Sequence, residues 1–404
     1  MDKLGQTVTE NTKDLENSIQ SLDTKIGQQP TREQSLNDFR AALRQEIAPI
    51  LSNTPAVTSQ GNNKIFWLNT KVELVKDHTG NSHVGGRNSW ISFKDHNSYF
   101  IATDQKGYIL YENGKKVSEG LLHSRLHSGT RSVYVKETNC YFLLGNNKLY
   151  KKAINGHSPE LWINDHFGTS SHAPMLYSKN LKRIVTVKST KTIAFIDPTK
   201  KAIEFQLNLP IQHGIMNYRF FGEGDQYVLF ITHNRFIGLV KYDVTAKTGK
   251  LITIQQYAAS RFKTDWAAGI DIDTNNKVIM VSHYYWDPPR DSKFSRVVVF
   301  ELWNDRLTQK ASLDVMDGTQ WLQAFRFVGY YQDEATFLGI DTQNGGAAHI
   351  FRYNVNTKVI TRDSQKSVPH LEDYIWRMSK LDDWFYYTGK KGRVMRVKVY
   401  DSSV

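Results

Sequence analysis

An all-β chain built from seven copies of a four-stranded antiparallel unit is what this sequence predicts, and three observations carry it. Short runs of β-branched and aromatic residues bounded by Asn, Asp, Pro, Gly and Ser recur from about residue 62 to the C-terminus, the pattern of strands joined by tight turns. A polar turn precedes an apolar strand start seven times, at Phe100, Phe142, Ile184, Val228, Ile279, Phe337 and Phe385, with spacings of 42, 42, 44, 51, 58 and 48 residues. Composition also changes near residue 60: of 49 Phe, Trp and Tyr, only Phe39 precedes it.

The stretch from Tyr177 to Leu207 shows the unit most plainly. Tyr177-Ser178 turns through Lys179-Asn180-Leu181-Lys182 into Arg183-Ile184-Val185-Thr186-Val187. Ser189-Thr190 leads into Thr192-Ile193-Ala194-Phe195-Ile196, and Asp197-Pro198-Thr199-Lys200 turns the chain into Ala202–Leu207. A second turn recurs after each third strand, as Glu112-Asn113-Gly114-Lys115, Ile154-Asn155-Gly156-His157, Trp303-Asn304-Asp305-Arg306 and Asn354-Val355-Asn356-Thr357; Asn-Gly and Asp-Pro are hairpin chemistry. Four strands with short turns occupy about 40 to 45 residues, which is the blade of a seven-bladed β-propeller. The last unit runs out after its third strand, Arg393 to Tyr400, so an early strand must close the ring; Ile65-Phe66-Trp67-Leu68 and Val72-Glu73-Leu74-Val75 are the two candidates.

Three domains are expected: a helical segment at 1–51, a linker at 52–63 and the propeller at 64–404. Leu15, Ile19, Leu22 and Ile26 are spaced as the seam of a short coiled coil. About three heptads cannot cover that seam in water, so weak self-association is expected, the alternatives being a largely frayed helix or docking on the propeller or on another protein. Gly27-Gln28-Gln29-Pro30 breaks this helix, and a second stripe, Leu36, Phe39, Leu43 and Ile47, ends at Pro49.

Net charge is +12 for the chain and −2 for residues 1–60, six Lys or Arg against eight Asp or Glu, leaving +14 on the β part. A basic surface of this size attracts acidic partners. Cys140 is the single cysteine, so no intrachain disulfide or cysteine-rich zinc site is available and a reducing compartment fits. Neither a signal peptide nor an eighteen-residue apolar run occurs, and the sequence points to a cytoplasmic protein with cytoskeletal or nuclear association as the variant.

The chain resembles the WD40-like β-propeller superfamily from about Asn63 to Val404, by cadence rather than by motif. Its Trp-Asp third-strand ending has only echoes here, in Phe195-Ile196-Asp197 and Lys241-Tyr242-Asp243, and its Gly-His opening is absent. The resemblance implies a rigid scaffold whose faces bind protein or peptide, usually without catalysis.

Candidate contact residues gather where chains lead into first strands and between second and third strands, which share a face. Trp90, Trp266, Trp321 and Trp376 lie at first-strand starts, either ringing the channel mouth as anchors or packing between blades. Tyr284, Tyr285, Trp286 and Arg290 lie on an insertion with Pro288-Pro289, expected to project as a stiff loop. Arg131, Arg261 and Arg290, with Arg125 and Lys263, are expected to form a basic rim for acidic side chains or phosphates.

Signals for chemistry are weak. His123 and His127 have an i, i+4 spacing without a helix to carry it, and Asp271 and Asp273 share one side of a strand but lead into a turn that asks for a capping Asp. No phosphate-binding loop, nucleophile elbow or dinucleotide fingerprint occurs. The expectation is a non-catalytic scaffold for an acidic protein or peptide, without metal or cofactor. The alternatives are polyanion binding to microtubules, nucleic acid or anionic lipid, and a propeller hydrolase or lyase.

Overall fold

The computed structural model describes Asn17, residues 68–78 and residues 90–401, the last range interrupted at 103–106, 122–130, 146, 157, 169–172, 212–213, 222–225, 233–234, 244, 258–267, 274, 276, 288–291, 316–321, 332, 342–346, 368–377 and 389–392. Contacts divide the chain into Met1–Ile65 and Phe66–Val404. The helical seam of Leu15, Ile19, Leu22 and Ile26 lies outside the described residues.

The first strand, β1 (Leu68–Lys76), is used last. Blade 1 follows with β2 (Trp90–Asp95), β3 (Ser98–Ala102), β4 (Gly107–Glu112) and β5 (Lys115–Leu121). Blade 2 is β6 (Arg131–Val135), β7 (Cys140–Gly145), β8 (Lys148–Ala153) and β9 (Glu160–Ile163), with one turn of 3-10 helix at Lys136–Thr138. Blade 3 is β10 (Leu176–Ser178), β11 (Arg183–Ser189), β12 (Thr192–Asp197) and β13 (Ala202–Asn208); blade 4 is β14 (Ile215–Phe221), β15 (Tyr227–Thr232), β16 (Phe236–Asp243) and β17 (Thr248–Gln256). Blade 5 is β18 (Ala268–Asp273), β19 (Val278–Asp287), β20 (Ser292–Trp303) and β21 (Arg306–Val315); blade 6 is β22 (Leu322–Tyr331), β23 (Glu334–Asp341), β24 (Ala347–Asn354) and β25 (Ile360–Ser367). Blade 7 is β26 (Ser379–Leu381), β27 (Trp384–Thr388) and β28 (Val394–Asp401), completed by β1. Every pairing is antiparallel, so the expected all-β, seven-bladed architecture is the one observed.

The seven turn-to-strand junctions counted in the sequence are the seven turns between first and second strands. The third-to-fourth turns are hairpins where their residues demand it: Asn113 and Gly114 have φ of 51° and 76°, and Asn304 and Asp305 have 45° and 61°, two consecutive left-handed residues in each.

The seven apolar clusters correspond one to each blade junction. Phe100, Tyr108 and Leu110 of blade 1 meet Tyr141 and Leu143 of blade 2, while Tyr99, Ile101 and Ile109 on the opposite side meet Tyr386 and Val394 of blade 7. Second and third strands are therefore covered on both faces, which is why β3, β7 and β12 are buried along their whole length. Fourth strands face solvent and read as polar: β5 is Lys-Lys-Val-Ser-Glu-Gly-Leu with no buried residue. At Gly238 the close packing excludes any side chain, since a Cβ there would lie 2.3 Å from Cζ of the buried Phe230 ring.

Ring closure uses the second candidate and extends it. β1 pairs with β28 from Leu68 opposite Asp401 to Lys76 opposite Val394, with Val72 opposite Val397. Arg396 of β28 reaches Glu73 of β1 through two nitrogens. Just past β1, His78 is buried, its ring tilted 5.5 Å from Tyr111 and its Nε2 without a partner. Burial and then Lys76 hold this imidazole below its ordinary value of 6.5. A depressed histidine stabilises the fold above the unfolded pKa, and that contribution is lost as pH falls through the folded value. The melting temperature is therefore expected to fall as pH is lowered from 7.5 to 5, with loss beginning below 6.5. The step should be smaller in His78→Leu; equal pH profiles in the two proteins would rule the histidine out as its source.

One expected loop is a sheet. The insertion after His283 continues β19, with Tyr284 opposite Ser295, Tyr285 opposite Phe294, Trp286 opposite Lys293 and Asp287 opposite Ser292. Aromatic residues with high strand propensity extend the ladder instead of leaving it, up to Pro288, which cannot donate to it.

Candidate functional site

First strands of neighbouring blades approach one another around the centre of the ring, and polar ties cross all seven junctions there. Trp90 Nε1 donates to the carbonyl of Ser132, joining blades 1 and 2. Arg131 Nη1 lies 3.5 Å from Thr186 Oγ1 across blades 2 and 3, and the Tyr218 hydroxyl reaches back from blade 4 to the carbonyls of Pro174 at 2.6 Å and Val185 at 2.8 Å. Arg219 Nε donates to Asp271 Oδ1 at 2.9 Å between blades 4 and 5, and Phe327 N donates to Asp271 Oδ2 at 2.8 Å between blades 5 and 6. Arg326 Nη2 donates to the Met378 carbonyl, and Ser379 Oγ to that of Ile91 at 2.8 Å, which closes the circuit from blade 7 to blade 1.

Charge is unevenly placed on this inner circuit. Arg219, Asp271 and Arg326 pair with Leu229, Met280 and Leu338 on their second strands. Each sits between apolar neighbours, in Tyr218-Arg219-Phe220, Ile270-Asp271-Ile272 and Phe325-Arg326-Phe327. Burial, then the nearby Arg219, pull the Arg326 guanidinium down to about 9, with Asp271 opposing. Arg131 is 1% exposed and burial brings it down to about 10; both arginines remain charged at neutral pH. Burial raises the Tyr218 phenol, and Arg131 and Arg219 both act against that rise. The signal that sequence reasoning missed was the lone charge inside a short aromatic or aliphatic inner strand.

The predicted contact residues are distributed differently from expectation. Trp90 is 7% exposed and takes the packing role between blades. Arg131 does not lie on a rim: it opens β6, and its side chain is enclosed at the junction with blade 3. Tyr284 is buried, and Tyr285 and Trp286 belong to β19. Arg261, Trp266, Arg290, Trp321 and Trp376 lie outside the described residues, as do Arg125, Lys263, His123 and His127.

Asp271 and Asp273, which share one side of β18, have separate structural tasks. Asp271 binds Arg219 and the Phe327 amide, while Asp273 accepts from the amide of Asn275 at 3.1 Å in the following turn. Among the described residues there is no cluster of three or more side chains suited to a metal ion, and no helix is long and apolar enough to cross a membrane.

A groove of about 520 Å³ lies at the ends of β16 and β17, lined by Leu181, Lys241, Tyr242, Asp243, Lys250 and Ile252 among others. Lys241 and Lys250 are cross-strand partners there, both exposed. Lys241 Nζ sits 5.4 Å from the centre of the Tyr227 ring, and neither lysine has a carboxylate partner among the described residues. Like charges facing each other across a ladder repel, and an acidic ligand relieves that cost. Gly249 permits the blade 3 contact beside the groove, since a Cβ on it would meet Leu207 Cδ1 at 2.4 Å.

No family model and no curated protein matches the chain in sequence. Solved structures match in fold. A protein from Lactobacillus plantarum is 11% identical, over 78% of this chain and 89% of that one, with a TM-score of 0.54. The WD40 domain of Neurospora crassa Pan2 is 12% identical, over 81% and 95%, with a TM-score of 0.53. The periplasmic gluconolactonase PpgL of Pseudomonas aeruginosa is 11% identical, over 69% and 85%, with a TM-score of 0.52. At these identities the likeness is one of fold.

Proposed function

We propose that this protein is a non-catalytic interaction scaffold whose propeller binds an acidic protein or peptide. The facing pair Lys241 and Lys250 at the blade 4 groove is the observation that carries it. Two exposed ammonium groups are held opposite each other with no ion pair to either among the described residues, in a groove that Asp243 also lines, next to Leu181, Tyr242 and Ile252. An extended segment of alternating acidic and apolar residues satisfies both features. The +14 on residues 61–404 adds long-range attraction, and the tied ring supplies a rigid platform. Trp266, Trp321, Trp376, Arg261 and Arg290 extend the proposed contact set, and the seam of Leu15, Ile19, Leu22 and Ile26 is proposed to bring two chains together.

The test is fluorescence anisotropy of the full-length protein with a labelled peptide of alternating glutamate and leucine. Binding is expected to weaken with added salt and to fall about tenfold in the Lys241→Glu, Lys250→Glu double variant. An intact protein that ignores the acidic peptide, or binds a neutral serine-leucine peptide equally well, overturns the proposal.

A further inference from the structure

We propose that the acidic segment received by the blade 4 groove continues across the turn end of blade 3 toward blade 2, so that the partner is an extended tract rich in aspartate and glutamate. The inference rests on the groove reading above and names its partner.

In a four-stranded meander the first and third turns lie at the same end of the sheet. On blade 3 that end carries Lys179 and Lys182 in the β10–β11 turn, and Lys200 and Lys201 in the β12–β13 turn, all four exposed. Leu181, between the first two, also lines the blade 4 groove, so this turn and the pair Lys241 and Lys250 border the same concavity. Lys247 of the β16–β17 turn lies 4.0 Å from Glu204 of β13, and on the far side Lys201 Nζ stands 5.7 Å from the centre of the Trp162 ring of blade 2. Local carboxylates do not neutralise this surface. Asp197 and Glu204 both serve Arg183, and among the lysines they reach Lys200 at 3.4 Å and Lys247 at 4.0 Å. Asp243 accepts from the amide of Ala246 at 2.9 Å. Lys179, Lys182, Lys201, Lys241 and Lys250 have no ion pair among the described residues. Like charges gathered on one end of two blades repel, and a polyanion lying across them relieves that repulsion.

Shape and chemistry select a polypeptide among polyanions. The exposed cations are lysines, and the one arginine, Arg183, is committed to Glu204, Asp197 and the carbonyls of Leu181 and Lys182, so no guanidinium fork is open for phosphate. The rings of Trp162 and Tyr227 are already engaged by Lys151, Lys201 and Lys241, and Tyr242 is buried, so none is offered bare to a stacked base. Leu181 and Ile252 are half-buried in the groove, where a side chain reaches them and a bilayer surface does not. Packed sheets stand about 10 Å apart, so two blade steps take about six extended residues.

Fluorescence anisotropy of the full-length protein at fixed ionic strength compares a Glu-Leu hexamer with the same hexamer extended by six glutamates or by six glutamines, each extension made at either end. Glutamate extension at one of the two ends is expected to tighten binding about tenfold over glutamine extension. Lys182→Glu with Lys201→Glu is expected to erase that gain. Lys179→Glu with Lys200→Glu is expected to do the same, which separates the charge effect from any change in the fold of one variant. Lys115→Glu with Lys277→Glu, an equal charge change at exposed sites on blades 1 and 5, is expected to keep the gain. No gain from glutamate at either end, an equal loss in the blade 1 and 5 variant, or a duplex oligonucleotide that binds more tightly than the extended peptide through the same blade 3 lysines overturns the inference. Hexamer binding that depends on Lys241 and Lys250 leaves the groove standing even when extension gains nothing. Conversely, an extended peptide that binds through Lys182 and Lys201 when the hexamer does not bind supports the blade 3 surface and overturns the groove.

Discussion

Replacing Asp271 by alanine is expected to cost the propeller about 3–5 kcal/mol, the range for removing one member of a largely buried ion pair. Its carboxylate forms the ion pair with Arg219, and its two oxygens serve two junctions, one toward blade 4 through Arg219 and one toward blade 6 through the Phe327 amide. Alanine leaves that amide without its acceptor and Arg219 without its counter-ion. Asp271→Asn keeps the shape and one acceptor, so it should lose less. Urea denaturation followed by tryptophan fluorescence reads both; an alanine variant within about 1 kcal/mol of wild type would mean that the inner ties contribute little and that the apolar clusters alone hold the blades.

Phe100→Ala is expected to cost a comparable 3–5 kcal/mol through a different route, the loss of buried apolar area plus the cavity left behind. Phe100 is fully buried at the junction of blades 1 and 2, stacked with Tyr108 at 5.6 Å and Tyr141 at 5.4 Å between ring centres. Both neighbours are large and fixed in their own ladders, so collapse into the space is limited. Phe100→Leu should recover most of the loss, because leucine keeps the volume closer. The same urea experiment decides it. A midpoint for Phe100→Ala indistinguishable from wild type would contradict the view that each junction is an independent close-packed layer.

The architecture was legible because its physics is local. Second and third strands bury both faces, so they appear as unbroken apolar runs such as Tyr99-Phe100-Ile101-Ala102, and turns announce themselves by residues that tolerate positive φ, as Asn113-Gly114 does. The need for a closing strand was equally visible, since a seventh unit with three strands leaves an unpaired edge. Val72–Val75 belongs to the strand that fills it.

Site chemistry was much less legible, and Arg131 and Trp286 show why. Arg131 is the first residue of β6, and whether an arginine at a strand start faces solvent or a junction depends on blade 3, whose Thr186 is 55 residues away in sequence. Trp286 looked like loop because of the two prolines after it, whereas the chain there continues β19 in register with Lys293 on the facing strand. Lys241 and Lys250 look like ordinary surface lysines until the register across β16 and β17 places them opposite each other. By itself the sequence determined seven four-stranded units, their turns and the need for an early strand to close the ring, because strand patterning and turn conformation depend on neighbours within a few residues. Only the tertiary structure decided that Arg219 and the Phe327 amide meet at Asp271, because groups 52 and 56 residues away along the chain become its neighbours only when the blades pack side by side.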